Sequence, residues 1–219
     1  MPLCKPSALL FDLDGTLVDS RRDIVEALNA ALENLGRTRL ALEEVLPMIG
    51  DGARMLVVRA LTFCDHAPPD DAIVARAALL YNEAYLANPC VHTTVLPGVA
   101  AALKLGLPCA MVTNKPRDVA MLVLGGLGIA SAFGATYGGG DGPLKPAPDG
   151  IFRVCAELGV VPAETWFIGD GPQDVLAGKN AGCTTIAVPG GIAERADVLA
   201  AMPDIVLGTL EELPALLAT

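Results

Sequence analysis

The sequence predicts an α/β protein, a doubly wound parallel sheet that carries an inserted all-helical cap domain. The first observation behind this prediction is the run Ala8-Leu9-Leu10-Phe11, which is typical of a buried strand. The second is the segment 20–88, in which helical patterns follow one another without a strand pattern. The third is the chain after Pro97-Gly98, where short apolar runs alternate with helical patterns. This alternation favours parallel strands joined by helices.

The helical segment begins at Ser20. Asp23 lies three residues further on, and the pair resembles a capping box. Apolar residues then recur at helical spacing until Gly36 ends the pattern. Two more helices are predicted in this segment, over 53–62 and 71–87.

The rest of the predicted sheet follows the helical segment. Strands are predicted over 109–112, 135–137, 166–168, 184–188 and 204–207. Helices are predicted over 118–124, 149–158 and 173–181. Because the helical segment separates the first strand from the others, we expect residues 1–18 and 90–219 to form the sheet domain and residues 19–89 the cap.

Composition indicates a folded protein in the cytoplasm. Hydrophobic residues make up 53% of the 219 residues and charged residues 18%, which is ample material for a packed interior. No apolar run approaches the roughly 18 residues of a membrane span. The cysteines lack metal-binding spacing and are expected to be buried thiols in a reducing compartment. They are Cys4, Cys64, Cys90, Cys109, Cys155 and Cys183.

The net charge limits the class of partner. With 15 basic and 25 acidic residues, the formal net charge is -10. Neither nucleic acid nor an anionic membrane surface is expected to bind, because both attract basic residues. The expected partner is a small molecule. Monomer and homodimer both stay open.

Polar side chains follow the predicted strands at the ends where ligands gather in parallel sheets. They are Asp12, Asp14, Thr113, Asn114, Lys145, Asp170 and Asp174. Clustered carboxylates repel one another unless a cation lies between them, and Mg²⁺ is the hard divalent ion that suits such ligands. Lys145, Thr113 and Asn114 then suit a phosphate. A helix cap is the alternative for Thr113-Asn114, and a first-turn helix acid for Asp174.

Four motifs resemble those of the haloacid dehalogenase superfamily, in the same order. The stretch Phe11–Ser20 resembles the first and Val112–Pro116 the second. Lys145-Pro146 resembles the third, and Ile168-Gly169-Asp170 with Asp174 the fourth. The resemblance covers almost the whole chain and implies the same core with a helical cap inserted after the first motif.

Within that superfamily, the chain looks most like the bacterial phosphoglycolate phosphatases. The similar stretches are Ile49–Arg54, Leu96–Val99, Thr113–Pro116 and Gly138–Asp141. One departure is Gly171, since relatives often carry Ser, Thr or Ala beside the metal-binding aspartate. The resemblance implies hydrolysis of a small phosphate monoester, with 2-phosphoglycolate as the expected substrate.

The resemblance also implies a two-step mechanism. Asp12 attacks phosphorus and forms an aspartyl-phosphate. Asp14 protonates the leaving alkoxide and then deprotonates the attacking water. Mg²⁺ is held by Asp12, the main-chain carbonyl of Asp14 and Asp170. Lys145 and Thr113 stabilise the phosphoryl oxygens.

Two roles remain for residues outside that set. Asp174 is expected behind the metal, where it orients metal-bound water or Lys145. In the cap, Arg54 is a candidate for binding a substrate carboxylate, because guanidinium can bind it through two parallel hydrogen bonds. A solvated helix arginine is the alternative.

Single residues distinguish a phosphatase from some other functions of the same core. A dehalogenase does not need Asp14, and a phosphonate hydrolase needs a cap lysine, whereas the segment 20–88 contains none. A binding module without catalysis is expected to lose Asp12 or Asp14. A phosphatase or mutase for a sugar phosphate shares the whole core, so it stays open.

Overall fold

A computed structural model describes residues 5–218 of the chain. Its strands, in chain order, are β1 (Ala8–Phe11), β2 (Val18–Asp19), β3 (Thr94–Val95), β4 (Cys109–Pro116), β5 (Ala135–Gly139), β6 (Thr165–Gly169), β7 (Thr184–Ala187) and β8 (Ile205–Val206). Six of them form one sheet in the order β5-β4-β1-β6-β7-β8, and every pairing in it is parallel. The predicted parallel sheet is confirmed, with β1 at its centre.

The α-helices of the described residues connect and cover these strands. They are α1 (Arg21–Asn34), α2 (Leu42–Val45), α3 (Gly52–Asp65), α4 (Asp71–Ala87), α5 (Val99–Ala102), α6 (Arg117–Gly126), α7 (Asp149–Leu158), α8 (Pro172–Ala181), α9 (Arg195–Ala200) and α10 (Leu213–Leu217). Between residues 5 and 218, no helix combines the length and the apolar character needed to cross a lipid bilayer.

Side chains of β1 alternate between the two faces of the sheet, as the strand period of two requires. Leu9 and Phe11 join the apolar cluster that contains Val119 of α6. Leu10 joins the opposite cluster, which contains Ile151 of α7. Helices therefore cover both faces, and the predicted doubly wound arrangement is confirmed.

Helices α1 to α4, which we call the cap, lie between β2 and β3 in the chain. Ile24, Leu28 and Leu32 recur every four residues along one face of α1 and are buried. Tyr81 and Tyr85 form part of the buried face of α4 in the same apolar cluster. Helical periodicity thus predicts α1, α3 and α4 correctly, since each of them buries an apolar face.

The two connections to the cap run side by side as a short antiparallel ribbon. In it, Val18 pairs with Val95 and Asp19 with Thr94. The sequence does not predict this ribbon, because two residues are too few to display a strand period. The domain limits expected at 18/19 and 89/90 lie close to the ribbon and stay predictions.

The predicted capping box at the start of α1 is wrong. Ser20 makes no capping bond and instead donates to Asp14 Oδ1 at 2.5 Å. Asp23 accepts from the main-chain N–H groups of His92 and Thr93, at 3.0 and 2.9 Å, and from the Thr93 hydroxyl at 2.6 Å. Asp23 therefore ties α1 to the segment that leads back into the sheet, a contact that local sequence spacing does not reveal.

The predicted burial of the cysteines is confirmed in part. Cys109, Cys155 and Cys183 are buried free thiols. Cys64 and Cys90 are half-buried, because they lie in or just after the cap helices, where solvent is closer. Cys4 lies outside the described residues.

Candidate active site

One pocket lies where the C-terminal ends of β1, β4 and β6 face the cap. All predicted site residues except Arg54 line it. They are Asp12, Asp14, Thr113, Asn114, Lys145, Asp170 and Asp174. Adjacent parallel strands end at the same rim, so residues far apart in sequence meet there.

Lys145 is the central cation of this rim. Its Nζ lies 2.5 Å from Asp12 Oδ1 and 2.6 Å from Asp174 Oδ1, and all three side chains are buried. Burial works against the charged ammonium, but the two adjacent carboxylates outweigh it and raise the pKa of Lys145. Lys145 therefore carries its positive charge at neutral pH.

The carboxylate cluster consists of Asp12, Asp170 and Asp174, each of which offers an oxygen within 4.8 Å of the others. Burial raises the pKa of Asp12, despite the adjacent ammonium of Lys145. Burial, with the neighbouring charge of Asp174, raises the pKa of Asp170 to about 6. One ammonium cannot balance three carboxylates, so the cluster suits a divalent cation bound through oxygen.

The main chain packs closely around Asp170. Its carboxylate accepts from the Thr16 hydroxyl at 3.0 Å and from the Ile192 N–H at 2.6 Å. A Cβ on Gly15 would lie 2.2 Å from Asp170 Oδ2, and the φ of Gly15 is +88°. A larger residue at position 15 is therefore excluded both by space and by backbone conformation.

The cluster contains the carboxylates of Asp12 and Asp170, two of the predicted metal ligands, while the third, the main-chain carbonyl of Asp14, stays a prediction. Asp174, expected behind the metal, supplies an oxygen to the cluster and also accepts from the Gly171 N–H at 2.9 Å. The side chain of Asp14 does not join it. That side chain turns to Ser20 and Lys115, which leaves the main-chain carbonyl as the metal ligand that the family resemblance implies for Asp14.

Lys115 is a pocket residue to which the sequence assigned no role. Its side chain is 2% exposed, and its Nζ lies 3.0 and 3.2 Å from the two Asp14 oxygens. It also donates to the Tyr85 hydroxyl of the cap at 2.7 Å. No clear signal in the sequence marks it, because Lys115 lies three residues after the apolar run 109–112, beyond the polar pair Thr113-Asn114.

Thr113 and Asn114 follow the same strand but differ in what their side chains contact. Thr113 is buried and accepts from the Lys115 N–H at 3.2 Å. Asn114 donates to the main-chain oxygens of Gly50 and Lys145 at 2.9 and 3.0 Å, and accepts from the Lys145 N–H at 2.8 Å. Its side chain thus positions Lys145 and joins core to cap, and the predicted phosphate contact of Asn114 stays a prediction.

Arg54 is not brought to the pocket. Its side chain is 61% exposed and pairs with Asp71 at 2.7 Å on the cap surface. The cap contributes mainly apolar side chains to the pocket lining, together with one tyrosine: Ile24, Ile49, Leu56 and Tyr81.

Comparison with protein families gives one match that covers most of the chain. The matching family is described as a hydrolase, haloacid dehalogenase-like, and the match spans residues 6–182. These residues include every member of the pocket's charged rim. The four motifs found in the sequence therefore lie within the matched span.

Curated relatives carry a more specific description. A phosphoglycolate phosphatase from Chromobacterium violaceum is 38% identical over 94% of this chain and 94% of its own. A phosphoglycolate phosphatase from Pseudomonas putida is 37% identical over 95% of this chain and 78% of its own. Among solved structures, a predicted phosphoglycolate phosphatase from Haemophilus somnus has a TM-score of 0.89 at 26% identity, over 97% of this chain and 98% of its own.

Proposed function

Since the chain belongs to the haloacid dehalogenase-like hydrolases and is a phosphoric monoester hydrolase, we propose that its substrate is 2-phosphoglycolate and its cofactor Mg²⁺. The observation that carries the proposal is the contact of Asp12 with Lys145 beside two further carboxylates. This arrangement supports the assignment of a nucleophile, a cation for phosphate and a metal site to one rim. The names of the relatives support the choice of ester.

Asp12 is the proposed nucleophile. It follows the central strand β1 directly, so its carboxylate is held at the rim by a rigid element. Attack on phosphorus forms an aspartyl-phosphate and expels the alkoxide, and water then releases phosphate from Asp12. Lys145 and the Thr113 hydroxyl are proposed to stabilise the phosphoryl oxygens in both steps.

Asp14 is the proposed acid and base. Two residues further along the chain than the nucleophile, it lines the same pocket. Contacts with Ser20 and Lys115 fix the direction of its carboxylate. In this role it gives a proton to the leaving oxygen and later takes one from the attacking water.

The donor set of the carboxylate cluster fits Mg²⁺. Oxygen ligands are what this ion prefers, and three carboxylates with one ammonium leave two negative charges for a divalent cation to balance. Asp12, Asp170 and the main-chain carbonyl of Asp14 are the proposed ligands, with Asp174 in contact with Lys145 beside them. When bound, the ion offsets the repulsion between the Asp12 carboxylate and the substrate phosphate.

Phosphate release from a panel of esters tests this function. The panel contains 2-phosphoglycolate, sugar phosphates, nucleotides and pyrophosphate, each with Mg²⁺ and with EDTA. We expect release that requires Mg²⁺ and is fastest with 2-phosphoglycolate. A preference for a sugar phosphate would retain the chemistry and reject the substrate, and equal release in EDTA would reject the metal.

A further inference from the structure

The cap end of the pocket holds two polar groups that the proposed chemistry leaves without a ligand. Of the charged side chains that line the pocket within residues 5–218, only Lys115 and Lys145 are basic. Lys145 contacts Asp12 and Asp174 and is the proposed partner of the phosphate. Lys115, whose Nζ contacts Asp14 and the Tyr85 hydroxyl, is therefore the second cation, the one left for another anionic group of the substrate.

Tyr81 is the other group. Its side chain is 3% exposed and lines the same pocket, yet its hydroxyl makes no hydrogen bond to any described residue. Tyr81 Oη is not among the buried unpartnered side-chain atoms of the described residues, which are Asn82 Oδ1 and Gln173 Oε1, so this hydroxyl is open to the pocket. A hydroxyl that opens into a binding pocket and has no partner in the described chain is available to donate to a ligand.

Tyr85 brings these two groups together. The Tyr81 and Tyr85 rings meet edge to face, with centroids 5.7 Å apart. The Lys115 Nζ lies 4.1 Å from the centroid of the Tyr85 ring and 2.7 Å from its hydroxyl. Lys115 and Tyr81 thus flank one fully buried ring, which fixes their relative position.

We propose that Lys115 and Tyr81 bind the carboxylate of the substrate, an inference that rests on the proposed function. A carboxylate accepts hydrogen bonds from both an ammonium and a phenol, and the neighbouring pocket walls Ile24 and Leu56 are apolar. The N-terminus of α3, at Gly52, lines the pocket too and favours an anion.

The position of Lys115 also limits the length of the substrate. It touches Asp14, the group proposed to protonate the leaving oxygen. A carboxylate held by Lys115 therefore lies beside that oxygen. This proximity suits phosphate esters of short 2-hydroxy acids, in which one carbon separates the ester oxygen from the carboxylate.

The test compares kcat/KM for 2-phosphoglycolate and for 2-hydroxyethyl phosphate, which has a hydroxymethyl group in place of the carboxylate. We expect Tyr81→Phe to lower the ratio of the two values about tenfold and Lys115→Met about a hundredfold, since each removes a hydrogen bond to a charged group. Tyr137→Phe is the control, because that buried hydroxyl donates to the Pro143 carbonyl at 3.1 Å outside the pocket. For Tyr137→Phe, the ratio of the two kcat/KM values is expected to match that of the wild type.

Two results would overturn the inference, and they are distinguishable. If the wild type prefers 2-phosphoglycolate and both variants keep the same ratio, the carboxylate is bound elsewhere. If the wild type itself shows no preference for 2-phosphoglycolate, the proposed substrate fails and the inference fails with it. The conservative Tyr81→Phe change keeps the test valid if Lys115→Met does not fold.

Discussion

The two ends of the pocket are lined by different kinds of side chain. At the sheet end, Asp12, Lys145 and Asp170 follow strands and are tied to one another or to the main chain by short hydrogen bonds. At the cap end, helices contribute apolar side chains such as Leu56. The few polar groups there include Tyr81, whose hydroxyl has no hydrogen-bond partner within residues 5–218.

This difference separates the reaction from the choice of substrate. Phosphoryl transfer needs charges in fixed positions, and strand ends hold them with little freedom. An apolar wall with one or two polar groups selects among leaving groups without taking part in the chemistry. Substitutions at the sheet end should therefore lower the rate for every ester, whereas those at the cap end should change the ranking of esters.

The largest expected effect comes from Asp12→Asn. The carboxamide fills the same volume but cannot act as the nucleophile, so we expect phosphate release to fall on the order of 10⁴-fold or more. Release is measured for 2-phosphoglycolate and for p-nitrophenyl phosphate, with thermal unfolding as the check on folding. Asp71→Asn, on the cap surface, is the matched control and should keep full activity. Turnover within tenfold of wild type would refute the nucleophile.

The second-largest loss of activity is expected from Lys145→Met. It removes the ammonium that contacts Asp12 and Asp174, so we expect a loss of roughly 10²- to 10³-fold in kcat/KM. The loss should be equal for 2-phosphoglycolate and p-nitrophenyl phosphate, because the group acts at the phosphate. Lys104→Met, at an exposed position, serves as the control. A loss confined to 2-phosphoglycolate would place the carboxylate, and not the phosphate, at Lys145.

The sheet end was predictable from sequence because parallel strands converge in a known way. Asp12 and Asp170 each follow an apolar run, and the carboxyl ends of such runs share one rim. The position of Lys115 could not be predicted from a strand end in this way. The predicted strand stopped at residue 112, whereas the observed strand β4 continues to Pro116. The register between β4 and β5 shifts between Val112 and Pro116, so the sequence of that stretch is not expected to show the regular period of a strand.

The cap end was not predictable in the same way. Helical periodicity located α3 and α4 but did not specify which of their residues would face the core domain. Arg54 was chosen for its charge, and it lies on the outer surface. In the sequence, Tyr81 looks like one more apolar core position of its helix. Its role depends on how the cap lies against the sheet, which helical periodicity does not specify.

Stability should depend on both metal and pH through the carboxylate cluster. Burial raises the pKa of Asp170 to about 6, above an ordinary value of about 3.9, so the folded metal-free protein binds more protons than the unfolded chain between those values. Its free energy of unfolding should therefore fall as pH rises through that window, by on the order of 3 kcal/mol. The raised pKa of Asp12 acts in the same direction.

Mg²⁺ needs the deprotonated carboxylates, so its stabilising effect should grow over the same range. Urea unfolding at pH 4.5 and pH 7, with excess Mg²⁺ and with EDTA, measures this difference. Asp170→Asn should remove most of it. An equal gain from Mg²⁺ at both pH values would mean that the ion binds away from this carboxylate cluster.

The smallest effect is expected at Arg54. Its side chain is 61% exposed and that of its partner Asp71 is 93% exposed, and such surface pairs contribute about 0–1 kcal/mol. Arg54→Gln should therefore change KM for 2-phosphoglycolate less than about twofold. The comparison with Lys115→Met in the same assay is decisive, because both residues are candidates for the substrate carboxylate. A tenfold rise in KM for Arg54→Gln, with Lys115→Met unaffected, would mean that the cap moves Arg54 into the pocket on binding and that the carboxylate site belongs to it.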